Sequence, residues 1–404
     1  MSDGMPVSSR LAPRYLRIRP PVFDELRRSA RERIAAGEPV LDMITGRLPG
    51  EVPRHLRQMA MDSWRDGHHT YLEGAGLPAL REHVVDWLDV RGQRTAEDVL
   101  VSPGSRAALL AVLQVVAGPG DVVLVDGVSM PILQPIVAAA GATPVPAHAS
   151  GSRLLLCPED VRHHLDSLPG VRALVLSNPV DPTGQLYDAD TLCGIVEVCA
   201  THRVVCVVDR AFGRVVFDGR TFPYLSASPG LRDWCVLVDG VARAVRGLDG
   251  LRVGWACGPR DVIEAATLAQ EHGAGPPGRV AQRVALEALQ SPWDIGVRDE
   301  LEAARDWAEE AFAGIPGVEV WPVQGTFYGI LDLAAHLGRA NAVGWVCETG
   351  ADLADHLLAQ AGLLVLPVDA LTRRGLVRFT FGVPHDHIGE AAQRLAFGLE
   401  ALRA

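Results

Sequence analysis

Between Val99 and Trp255 the chain repeats one pattern: a short apolar run rich in β-branched residues, a turn, and in places a helical stretch. The runs are Val99–Val101, Asp121–Val125, Ala173–Ser177, Val204–Asp209, Cys235–Asp239 and Leu251–Trp255, and Ala107–Val116 and Thr191–Ala200 read as helices between them. Unbroken apolar runs of this length are the mark of strands buried on both faces. Parallel neighbours of this kind cannot be joined by a tight hairpin, so helices carry the crossovers and the sheet is wound on both sides. Outside this stretch the pattern is mixed. A helix is expected over Phe23–Ala36, after an irregular start, and a short strand over Val40–Gly46. Beyond Trp255, helices are expected at Asp261–His272, Arg279–Leu289, Val297–Ala313, Ala351–Gly362 and Ile388–Leu402, with strands at Val318–Trp321, Gly325–Asp332, Leu364–Pro367 and Leu376–Gly382. The expected division is a large domain over residues 52–290 and a small α+β domain made from residues 1–51 and 291–404.

A chain of 404 residues, 48% apolar, is long enough for two cores. Its net charge of −11 argues against nucleic acid, which is held by neutralising phosphates with basic groups. No apolar run reaches the length of a membrane span, and the first residues lack the apolar core of a signal peptide. The 7 cysteines stand in apolar contexts without a Cys-x-x-Cys pair, as expected for reduced core residues of a cytoplasmic protein. His68-His69 reads as solvated and His385-Asp386-His387 as a helix start, so no metal site is expected. All 38 residues counted as Lys plus Arg are arginine: the chain has no lysine. Drift toward Arg, Ala, Gly and Val codons and selection against amines beside a reactive carbonyl would both produce this.

Four places concentrate chemistry. Ser102-Pro103-Gly104-Ser105-Arg106 follows a strand and opens a helix, where free backbone N–H groups point at an anion. Arg106 in that first turn suits an anion bridging it to the helix dipole. Asp209 ends an apolar strand, at the edge where parallel sheets place ligands. Arg252 and Arg378 each stand alone in an apolar run read as strand, and a buried guanidinium requires an anionic partner.

In order and spacing these segments resemble the fold-type I pyridoxal-phosphate (PLP) enzymes, the aspartate aminotransferase family. The resemblance also rests on Tyr71-x(4)-Gly-x-x-x-Leu-Arg81, Pro119-Gly120-Asp121, Asn178-Pro-Val-Asp-Pro-Thr-Gly184, Gly325-x-Phe-Tyr328 and the Arg252-x-Gly254 turn, and it covers nearly the whole chain. It implies a seven-stranded, mostly parallel α/β sheet with a smaller α+β domain. It implies a phosphate cup from Gly104, Ser105, Arg106 and Arg252, a pyridine-nitrogen partner in Asp209, and a substrate carboxylate clamp in Arg378. Tyr71 would reach the neighbouring subunit's phosphate site, which implies a homodimer; as a bare residue it reads as an anchored loop aromatic. Gly46 would approach the substrate carboxylate by its backbone, and reads equally as a turn glycine.

The departures are as specific as the matches. The Schiff-base lysine stands eight residues before the phosphate-binding arginine in that family, and counting back from Arg252 gives Ala244, with Arg243 beside it. The two groups that hold the cofactor's phenolic oxygen become Asp181 and Phe212, and the aromatic stacked on the ring becomes Met130. A guanidinium stays protonated and cannot replace the lost amine as nucleophile or proton shuttle. Four readings stay open. The protein binds PLP or pyridoxamine phosphate without a Schiff base; it runs a cofactor-free reaction with Asp181 or Asp209 as acid or base; it is a non-catalytic paralogue that binds a ligand or partner subunit; or it transaminates in the ordinary way. Retention of Asp209, Arg252 and Arg378 favours an atypical enzyme acting on a small molecule with a carboxylate.

Overall fold

The computed structural model describes residues 22–48, 50–151, 154–223, 230–291, 295–341, 343–368 and 375–403. The irregular segment expected over the first residues lies largely outside the described residues, up to position 21. The helix expected near the start is present at Val22–Ala35 and leads into β1 (Leu41–Asp42).

Seven strands make the central sheet: β2 (Val99–Ser102), β3 (Val122–Asp126), β4 (Thr143–Ala147), β5 (Val171–Ser177), β6 (Val205–Asp209), β7 (Cys235–Gly240) and β8 (Gly254–Cys257). Their order is β2-β8-β7-β6-β5-β3-β4, with β8 antiparallel to both neighbours and the rest parallel. Strand geometry throws successive side chains to opposite faces, and both faces are covered. Val123, Val125, Val175, Val207 and Val238 pack under helices Ser105–Val116, Met130–Ala140 and Arg260–Glu271. Leu124, Leu174, Cys206, Leu237 and Trp255 face the other way, onto helices that include Pro78–Trp87, Ala189–Thr201 and Arg279–Gln290. Burying one such aliphatic side chain stabilises the fold by roughly 1.5–3 kcal/mol, so the unbroken apolar runs are what the two-sided layer demands.

Strand β4 was not among the expected elements. Its sequence, Thr-Pro-Val-Pro-Ala, carries two prolines that cannot donate to a ladder, and it sits at the sheet edge where only one side needs pairing.

The remaining strands are β9 (Glu319–Val320), β10 (Tyr328–Asp332), β11 (Leu363–Leu364), β12 (Leu366–Pro367) and β13 (Leu376–Thr380). Strands β12-β13-β10-β9 form an antiparallel sheet, while β11 pairs with β1 in parallel. The single strand expected near Leu364–Pro367 is thus two, split by Val365 between two sheets. A second core joins Leu41, Met43 and Leu48 to helices Ile295–Ala313, Gly350–Ala361 and His385–Glu400. Phe212, Val215 and Phe217 pack into this core from the loop after β6, so one segment of the middle of the chain ties the two cores together.

Candidate active site

The parallel strands of the large sheet all end on one edge, and antiparallel β8 begins there. Along that edge lie Gly104 and Ser105 after β2, Ser129 after β3, Ser177 at the end of β5, Asp209 at the end of β6, Gly240 at the end of β7 and Arg252 before β8. Together they floor a cavity of about 430 Å³, roofed by Ile44–Arg47, Tyr328 and Arg378 from the second core. Crevices at the carboxyl ends of strands are where α/β sheets bind ligands. Its charges are lopsided: Arg27, Arg47, Arg106, Arg243, Arg252 and Arg378 against Asp181, Asp209 and Asp249. The protein as a whole is acidic, so a cavity richer in cations than in acids is a local arrangement that favours anions.

One corner is built from backbone. Gly104 takes φ 92°, in the left-handed region that a glycine enters without penalty, and caps the helix Ser105–Val116. A side chain there would fall 2.7 Å from the Arg252 guanidinium, which lies over the turn and donates to the Pro103 carbonyl at 3.3 Å. Gly254 lets β8 approach so closely that a Cβ would stand 2.3 Å from the Ser105 nitrogen. Arg252 itself corrects the sequence reading. It is not a strand residue in an apolar setting but an exposed one with φ 55°, in the turn ahead of β8. Spacing extended the strand backward over a residue whose left-handed backbone ends it.

Asp209 opens onto the cavity floor. Its Oδ1 accepts from the Ala211 N–H at 3.0 Å, and dehydration of the site pushes its pKa up to about 6. The Ala211 hydrogen bond, Arg106 and Arg243 oppose that rise, and the neighbouring charge of Asp181 adds to it.

The opposite wall carries the departures. Asp181 Oδ1 accepts from Arg378 Nη1 at 2.9 Å, and the Arg378 side chain is only 2% exposed against 22% for Asp181. The guanidinium also donates to the Ile44 carbonyl at 3.2 Å and lies 3.8 Å from the centre of the Tyr328 ring. Asp181 is fixed by its backbone too: its N–H donates to Ser177 Oγ at 3.2 Å and its carbonyl accepts from Ser129 Oγ at 2.9 Å. Phe212 lines the cavity edge-on to Phe327, ring centres 5.0 Å apart. Arg243 spans the two rings, at 5.4 and 4.9 Å, and donates to the Gly46 carbonyl at 3.2 Å. Gly46 lines the cavity with its backbone, because a Cβ would lie 2.3 Å from Thr380 Oγ1 and 2.5 Å from the Phe327 ring. Asn178, read as structural, is buried and accepts from the Tyr187 N–H at 3.0 Å.

Three sequence-selected residues are not in the cavity wall. Met130 packs against the sheet core, because Ser129 turns the helix start so that Ser129, Ile132, Leu133 and Ile136 face the cavity instead. Ala244 is buried behind Ala242 and Arg243, which do line it. Tyr71 is fully exposed, touching its surroundings through its carbonyl, which accepts from Arg279 at 3.0 Å. Sequence reasoning missed Arg27, Arg47, Ser129 and Tyr328 as wall residues. Of these, Tyr328 lay in a quoted motif and Ser129 stands beside Met130 in the segment read for a stacking group.

A family model, aminotransferase class I and II, matches residues 38–395. The chain belongs to this family. Among its relatives, the aspartate aminotransferase of Geobacillus stearothermophilus is 27% identical over 403 residues, covering 97% of this chain and 99% of that one. A probable aspartate/prephenate aminotransferase of Thermus aquaticus is 28% identical over 386 residues, covering 93% and 94%. Among solved structures, the aspartate aminotransferase from Rhizobium meliloti superposes with a TM-score of 0.91 at 25% identity, covering 97% of this chain and 99% of that one. The Thermus thermophilus aspartate aminotransferase with maleate gives 0.84 at 25% identity, covering 96% and 98%. The aminotransferase family implies PLP as cofactor and an enzyme of the transferase class, and no helix among the described residues is long and apolar enough to cross a membrane.

Proposed function

We propose that this aminotransferase-family chain is an atypical enzyme. It acts on an amino-acid-like anionic small molecule with PLP or pyridoxamine phosphate held non-covalently, as a cytoplasmic homodimer, and it does not carry out ordinary transamination. The observation that carries the reading is the convergence of Asp209, Arg106 and Arg252 on one cavity in a chain with no lysine.

The fit to the cofactor is good at one end and fails at the other. A phosphate suits the Gly104 turn, where the Ser105 and Arg106 N–H groups open the helix and Arg252 lies alongside. A pyridine nitrogen would suit Asp209, an acid at the end of β6 that lines the cavity. At the aldehyde end no side chain can form a Schiff base, Phe212 has no hydroxyl to offer a phenolic oxygen, and Asp181 accepts rather than donates when ionised. When bound, the cofactor supplies an electron sink. The chain would supply the rest: Phe212 and Ile132 would give the cavity apolar surface that excludes water, Gly46 lets the roof approach closely, and Asp209 or Asp181 would hold or move protons. Tyr71, exposed in the single chain, would complete a neighbour's phosphate corner in the dimer.

The non-catalytic reading has one observation in its favour: Arg378 is already neutralised by Asp181. Incubation with PLP, borohydride reduction and peptide mass mapping test the main reading. The expected result is no label beyond the N-terminal amine, together with PLP or pyridoxamine phosphate binding that Arg252→Ala weakens. A label on an internal side chain, or absence of binding by either compound, would overturn it.

A further inference from the structure

No residue of the helix Met130–Ala140 is charged, although it borders a cavity rich in arginine. Met130 goes into the sheet core, and Ile132, Leu133 and Ile136 are left on the cavity side. Positions i and i+4 of a helix lie one above the other, so the two isoleucines make an aliphatic stripe with Leu133 between them. Leu133 is seated in the core, but Ile132 and Ile136 are only half-buried. Ile136 leans on the core beneath it. Ile132 joins no hydrophobic cluster among the described residues, and it lines the cavity. Apolar surface of this kind is better covered by an apolar group than by water. The stripe runs beside the anion corner, because its helix packs against Ser105–Val116, whose first turn is that corner. Other cations of the wall are engaged by the protein itself: Arg378 by Asp181, Arg243 by the Gly46 carbonyl between two aromatic rings, and Arg27 by Thr45 Oγ1 at 2.9 Å. That leaves the Gly104–Arg106 turn with Arg252, and exposed Arg47 in the roof, to meet a ligand's charge.

We infer that the cavity selects an anionic small molecule with an aliphatic arm, the arm laid along Ile132, Leu133 and Ile136. This rests on the anion corner of the reading above and deepens it by naming the apolar part of the molecule. Where the resemblance implies an aromatic plane, this chain turns Met130 inward and offers branched aliphatic side chains, a surface that fits a saturated arm. Each methylene of the arm that leaves water adds about 3- to 4-fold in affinity, until the space of about 430 Å³ is filled.

Alkyl phosphates carry anion and arm in one molecule and need no cofactor. The full chain is titrated calorimetrically with methyl, n-butyl and n-hexyl phosphate, and with 3-carboxypropyl phosphate, whose arm ends in an acid. Wild type is compared with Ile132→Ser/Ile136→Ser and with Gln134→Ala, a change on the same helix outside the cavity wall. Thermal melts establish that each variant is folded, and Ile132→Ala alone replaces the double variant should that one be unstable. Wild type is expected to bind n-butyl phosphate at least about 10-fold tighter than methyl phosphate, and at least as tightly as the acid-tipped probe. The double variant is expected to lose most of that gain, Ile132→Ala part of it, and Gln134→Ala none. Equal affinity of wild type for methyl and n-butyl phosphate, or tighter binding of the acid-tipped probe, overturns the inference while leaving the anion corner intact. So does a gain that survives the isoleucine substitutions or is lost equally in Gln134→Ala. Failure of wild type to bind any of these phosphates overturns both the inference and the corner on which it rests.

Discussion

The two ends of the cavity are built by different means. At the Gly104 corner the polar groups are backbone N–H groups of a helix start, framed by glycines at which a side chain would collide. At the Asp181 end the groups are side chains from three distant segments: Asp181, Phe212 and Arg378. A backbone-built corner is fixed by the fold and survives sequence divergence, whereas a side-chain wall changes polarity with a few substitutions.

Four changes bear on that contrast. The largest expected effect comes from acids buried at strand ends. Asp126, sealed at the end of β3, has its carboxyl pushed up to about 7 by burial, with Val128 N–H and Ser129 pulling the other way, while cavity-facing Asp209 lies at about 6. Both values are raised above the unfolded value, so the folded chain holds these protons more tightly. The stability they contribute is complete below about pH 4 and is lost as pH rises through about 6 and then about 7. For Asp126 a rise from 3.8 to about 7 corresponds to ~4 kcal/mol. Urea unfolding across pH 4–8 should show this fall in wild type and a flatter profile in Asp126→Asn. A similar slope in both would remove Asp126 from the account.

Arg378→Ala comes next. Breaking a mostly buried pair strands Asp181 and empties the volume over Tyr328, for a loss of ~3 kcal/mol in the urea midpoint analysis. A neutral result would mean that the pair opens in solution. Gly46→Ala forces a methyl against Thr380 and Phe327 and should lower stability by ~2 kcal/mol, read as a drop in melting temperature. The smallest structural effect belongs to Arg252→Ala, an exposed residue. Its melting temperature should stay within a degree or two of wild type, while affinity for pyridoxine phosphate falls roughly 10-fold or more. If Arg252→Ala melted early and bound normally, the division between fold-built corner and side-chain wall would be reversed.

Much of the frame was readable from the chain because local patterns dictated it. The unbroken run Val204–Asp209 had to be a two-sided strand, and Ser102–Arg106 had to be the turn into a helix, so the sheet, its floor acid and the glycine turn beside it followed. Features set by tertiary contact were not readable. The Asp181–Arg378 pair spans 197 positions and no spacing announces it. Met130 was misplaced by counting along a motif, since the rotation of its helix is set by Ser129, whose N–H donates to the Asp126 carbonyl. Strand β4 was hidden by prolines tolerated only because it lies at an edge.

A crystal structure of the chain grown with pyridoxamine phosphate tests the central claim most directly. The account predicts the phosphorus at the Gly104–Arg106 turn beside Arg252, the ring nitrogen on Asp209, and no bond between ligand and protein. Density bonded to a side chain, or an empty cavity at saturating ligand, would contradict it.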